Sequence, residues 1–119
     1  MIIFHLITSL DKGGAESHLY SLIKKQVQNK LSVYVFYLRG NGYWKKHLNK
    51  MGVKVFKLNV YNNLDFIGLL NAYNNLRTYI KKIKPKVVHA HLSSMELLAV
   101  FLKIKLNNKF KFIVTKHLD

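Results

Sequence analysis

The chain has 119 residues, with 20 lysines and arginines against five acidic residues and a formal charge of +15. Half of it is apolar and 13% is aromatic, which excludes a disordered chain and fits one compact domain rather than two. It has no cysteine, so a disulfide scaffold, a thiolate zinc site and a cysteine nucleophile are excluded, and the cytosol is the expected compartment.

In chain order, a β-rich run from Ile2 to Thr8 comes first and hands over to the loop Asp11-Lys12-Gly13-Gly14-Ala15-Glu16. Ala15, Leu19, Leu22, Ile23 and Val27 then fall at helical spacing, with lysines and glutamines on the other side. Ser32 to Leu38 reads as a second strand. Tyr43 to Met51 reads as a short helix, bounded by Gly40, Gly42 and Gly52, and Val53 to Leu58 as a third strand. Phe66, Leu69, Leu70, Tyr73, Leu76, Ile80 and Ile83 predict a longer helix that stops before Pro85, because a residue preceding proline is pushed out of the helical region. Lys86 to His91 is the fourth strand. Ser93 and Glu96 have capping-box spacing ahead of a helix apolar almost all round, and Lys111 to Thr115 is the fifth strand.

Alternating strands and helices imply right-handed crossovers. The expected fold is α/β, a Rossmann-like parallel sheet of about five strands in the order 3-2-1-4-5 with helices on both faces. The last strand is followed only by Lys116 to Asp119, so the domain, residues 1–119, is expected to be incomplete at its C-terminus, as a fragment or split gene product. No apolar run reaches the roughly 20 residues of a membrane-spanning helix, and the N-terminus lacks the basic start of a secretory signal.

Ligands of such sheets sit beyond the carboxyl ends of the strands, which selects the loops at Asp11 to Glu16, His89 to Ser94 and Thr115 to His117. Gly13 and Gly14 either let backbone N–H groups approach an anion at a helix N-terminus, with Lys12 adding a charge, or simply form a tight turn. Neither the dinucleotide fingerprint nor the P-loop is present. His89 and His91, two apart on one strand, face the same side. A metal there lacks further ligands, because the only carboxylates in the chain are Asp11, Glu16, Asp65, Glu96 and Asp119. His89 reads as a hydrogen-bonded core histidine; His91, at the strand tip, is open to either role. His117 sits where the last strand opens into the cleft, able to bond a substrate hydroxyl or to move a proton, or else structural. His5 reads as packed within its strand and His18 as turned to solvent. No Ser/His/Asp order or carboxylate pair points to hydrolysis.

Taken in order, Lys12-Gly13-Gly14-Ala15-Glu16, Pro85-Lys86-Val87-Val88-His89-Ala90-His91 and Val114-Thr115-Lys116-His117 resemble the N-terminal domain of GT-B glycosyltransferases of the family-4 type. The resemblance implies a retaining transferase that uses a nucleotide-activated sugar without a bound metal or other cofactor. It implies an acceptor-side domain here, and a C-terminal donor-binding domain with an E-x7-E glutamate pair in the same or a separate chain. By this resemblance Gly13 and Gly14 match the loop that approaches the donor diphosphate, and Lys12 matches a neighbouring lysine only approximately. His117 matches the histidine near the transferred sugar, and His91 and Ser93 stand on the acceptor side. The 119-residue chain by itself is expected to transfer no sugar, since catalysis needs donor and acceptor held together.

The charge allows other readings. One is peripheral binding to an anionic membrane on its cytoplasmic side, through Tyr43-Trp44-Lys45-Lys46-His47 and Lys81-Lys82. A nucleic-acid-binding module is disfavoured, because the lysines are dispersed and no recognised motif occurs. A non-catalytic subunit of a split transferase is the third.

Overall fold

Five strands, β1 (Ile2–Ser9), β2 (Ser32–Arg39), β3 (Lys54–Lys57), β4 (Val87–His91) and β5 (Lys111–Thr115), make one parallel sheet in the order β3-β2-β1-β4-β5. The computed structural model describes residues 1–10, 14–40, 42–58, 66–91 and 110–115. The expected strand order is the one observed. The helix expected after Ser93, and the ends of the loops on either side of it, lie outside the described residues.

Strand alternation divides the core into two layers. Even positions of the central strands (Phe4, Leu6, Phe36, Leu38, Val88 and Ala90) pack against Ala72, Leu76 and Ile80 of helix α3 (Phe66–Ile83). Odd positions (Ile7, Val33, Val35, Tyr37 and Val55) pack against Leu19 and Ile23 of α1 (Gly14–Gln28) and Leu48 of α2 (Lys45–Lys50). Helices therefore cover both faces, as right-handed crossovers require.

Helix ends follow from local chemistry. The N–H of Leu31 bonds the Gln26 carbonyl at 3.0 Å and that of Lys30 bonds Val27 at 2.9 Å, closing α1 in a Schellman motif with Lys30 left-handed at φ 62°. The same pattern closes α2, where Val53 reaches Leu48 at 3.2 Å and Gly52 reaches Asn49 at 3.0 Å, with Gly52 at φ 85°. This closure takes up the N–H of Val53, so β3 starts one residue later than its apolar pattern suggests. Lys84, at φ 58° directly before Pro85, ends α3 as expected.

Candidate functional site

The strand order reverses between β1 and β4, which carry the loops singled out in the sequence, and β5 lies next to β4. Register places Ile7, His91 and Thr115 side by side at the carboxyl end. Of the predicted site residues, Gly14 and His91 are described; Lys12, Gly13, Ser93 and His117 lie outside the described residues.

Gly14 is the first residue of α1, so its backbone belongs to the helix N-terminus. Its φ is not in the left-handed region, which among the described glycines holds only Gly40, Gly42 and Gly52. A Cβ built on Gly14 would meet nothing within 4 Å. Neither backbone conformation nor internal packing of the described residues demands a glycine there.

His91 is buried, and it belongs to a cluster that the sequence reading had not joined. His5, His89 and His91 lie at odd positions of β1 and β4, on the α1 face, and are all buried. His5 Nδ1 is 3.0 Å from His91 Nε2, and His5 Nε2 is 2.8 Å from Gln26 Oε1 on α1. The His89 and His91 rings stack with centroids 4.0 Å apart, and His5 lies 5.2 Å from each. Burial pushes the His5 imidazole down to about 4, against an opposing pull from its Gln26 hydrogen bond and with a further push from His89. Burial also lowers His89. The signal for Gln26 was present in the sequence: it stands three residues after Ile23, on the inward stripe of α1, where a polar residue needs a polar partner.

The expected basic and aromatic surface divides in two. Tyr20, Tyr43, Trp44 and His47 form an aromatic cluster joining α1 to the start of α2, with Tyr20 and Trp44 centroids at 4.8 Å and Tyr43 and Trp44 at 5.2 Å. Tyr43, Lys45, Lys46, His47 and Lys50 are exposed around it. A shallow depression of about 510 Å³ is lined there by Gly42, Lys45, Lys46, Asn49 and Lys50. Lys81 and Lys82 close the last turn of α3, in the opposite helix layer, so the two segments do not make one continuous surface. No helix among the described residues is long and apolar enough to cross a membrane.

Residues 12–119 match the sequence model of Glycosyltransferase Family 4. The chain belongs to that family. No curated protein matches the sequence. Solved structures share the fold of this family-4 chain at low identity. The lipopolysaccharide outer core galactosyltransferase WaaB in its apo form is similar to it with a TM-score of 0.80 and 18% identity, over 100% of this chain and 34% of that one. MurG of Acinetobacter baumannii has a TM-score of 0.73 and 11% identity, over 97% of this chain and 34% of that one. A glycosyltransferase from Rickettsia africae has a TM-score of 0.69 and 18% identity, over 95% and 28% respectively. The family-4 chain thus spans about a third of the length of these structures.

Proposed function

We propose that this family-4 chain is the acceptor-side domain of a retaining glycosyltransferase. Its reaction moves a hexosyl-type residue from a nucleotide sugar to a glycan or lipid-linked acceptor in cell-surface polysaccharide biosynthesis. The donor-binding half, with its glutamate pair, comes from the same or a separate chain. Lys12, Gly13 and Gly14 receive the donor diphosphate, His117 stands beside the transferred sugar, and His91 and Ser93 serve the acceptor side. No metal is needed in this reading, because a positive helix N-terminus and the charge of a lysine offset that of the diphosphate. Tyr43, Lys45, Lys46 and Lys50 hold the domain peripherally on the anionic inner face of the cell membrane.

The observation that carries the reading is Gly14, where an added side chain would meet none of the described residues and where φ is not left-handed. A glycine there is accounted for by a ligand approaching the backbone from outside. The test is Gly14→Ala in the complete transferase, titrated with a panel of uridine, guanosine and adenosine diphosphate sugars. Stability is expected to change by less than about 1 kcal/mol, since Ala suits a helix better than Gly. Donor affinity is expected to fall about tenfold or more, the equivalent of roughly 1.4 kcal/mol. Wild-type affinity in a folded variant would overturn the diphosphate role.

A further inference from the structure

Three buried imidazoles on two adjacent strands, with one nitrogen of each within 4.8 Å of the others, allow two arrangements. They can surround a metal ion, or they can hydrogen-bond as neutral rings. His5 decides between them. Both of its nitrogens are engaged, at 2.8 Å by Gln26 Oε1 and at 3.0 Å by His91 Nε2. Imidazoles sharing a tetrahedral zinc at about 2.0–2.1 Å would place their nitrogens roughly 3.3 Å apart, with no proton between them. The observed separation is that of an N–H···N hydrogen bond. The cluster also brings no carboxylate to the rings among the described residues.

The position of each proton then follows from Gln26. An amide oxygen only accepts, so His5 Nε2 carries the hydrogen. A neutral imidazole has a single N–H, which leaves His5 Nδ1 as an acceptor. The hydrogen in the 3.0 Å contact must therefore sit on His91 Nε2. We propose that Gln26 is a positioning residue that, acting through His5, holds His91 in the Nε2–H tautomer, so that the buried Nδ1 is the acceptor nitrogen of the His91 ring. Full burial of His5 disfavours its charged form and keeps that ring neutral. The closure of α1 supports the geometry, because the Gln26 carbonyl is itself held by Leu31 in the Schellman turn. The assignment deepens the acceptor-side reading of His91 and rests on it for its use in the reaction; the proton positions stand on the hydrogen bonds alone.

Long-range ¹H–¹⁵N correlation spectra of the full chain, ¹⁵N-labelled at histidine and recorded near neutral pH, separate protonated from bare ring nitrogens. His5 and His91 are both expected with protonated Nε2 and bare Nδ1. A His91 ring with its hydrogen on Nδ1 would overturn the proposal. Gln26→Met removes the amide and is expected to turn the single His91 form into a mixture of both tautomers; an unchanged single form would also overturn it. If the variant does not fold, the wild-type spectrum still decides the proton positions. Zinc chloride added to the wild type is expected to leave the three rings unchanged, and shifts at all three together would establish the metal arrangement instead. In the complete transferase, Gln26→Met is expected to raise the acceptor KM several-fold at constant donor KM. The predicted tautomer with an unchanged acceptor KM would retain the proton assignment and sink the acceptor-side role of His91.

Discussion

His5 is a titratable ring at the centre of the sheet, and burial makes its charged form costly. Its imidazole is ordinary in the unfolded chain, near 6.5, and lowered to about 4 in the folded one. Between those values the unfolded state binds more protons, so the stability contribution is complete above about pH 6.5 and is lost progressively as pH falls to about 4. The full loss is on the order of 3 kcal/mol. His89 is lowered as well and acts in the same direction. Urea unfolding followed from pH 7 to pH 4 checks this: the midpoint is expected to drop across the window in the wild type and to drop less in a folded His5→Asn variant. An equal drop in both would show that other groups carry the acid sensitivity. Phe36 is a second residue whose cost can be given. It is fully buried between Phe4, Phe56 and Tyr79, with centroids at 4.8, 5.6 and 5.0 Å, and Phe36→Ala is expected to cost about 3–5 kcal/mol in denaturant unfolding.

At the scale of elements, α1 and α2 end in the same hydrogen-bonded turn with different residues in the left-handed position. Gly52 adopts φ 85° without strain, and Lys30 holds φ 62° at a cost of about 1–2 kcal/mol for an L-residue. Exchange of these residue types should therefore move stability in opposite directions. Gly52→Ala is expected to destabilise by about 1 kcal/mol, although its Cβ meets nothing within 4 Å, and Lys30→Gly to stabilise by a few tenths to about 1 kcal/mol. Thermal unfolding of the two variants against the wild type measures both; a stabilised Gly52→Ala would show that the turn is not strained as described. The elements themselves were legible. Apolar periodicity located every described strand and helix, because each buries one face or stripe. The boundaries shifted at α2 and β3, where backbone hydrogen bonds of the closing turn took residues that side-chain pattern alone assigns to a strand or helix.

The chain has a formal charge of +15 and its described lysines are exposed, on α1 and α2 as well as on α3, so attraction to anionic surfaces is expected to be real and salt-dependent. Binding to vesicles containing anionic lipid is expected to exceed binding to neutral vesicles and to weaken as salt rises. Replacing Lys45, Lys46 and Lys50 by glutamine should reduce that binding more than replacing Lys81 and Lys82, because only the former border the aromatic cluster. Equal, negligible binding to both kinds of vesicle would remove the membrane reading. The isolated 119-residue chain is expected to turn over no nucleotide sugar, and turnover by it would contradict the need for a second, donor-binding domain.

Residue order alone determined the fold class, the strand order and the family. Buried strands and amphipathic helices carry periods of two and 3.6, crossovers have one hand, and three short motifs occur in family order. The same order left Gly14 open between a strained turn and a ligand approach, and left His5 a packed core residue unrelated to His91. Only the tertiary structure joined His5 to His91, and at Gly14 it removed the strained turn, because φ there is not left-handed. The bonds linking Gln26, His5 and His91 join residues 21 and 86 positions apart in the chain, so they exist only once β1, β4 and α1 are packed together. Which partner satisfies a buried polar group depends on distances set by the whole fold, and no local pattern encodes them.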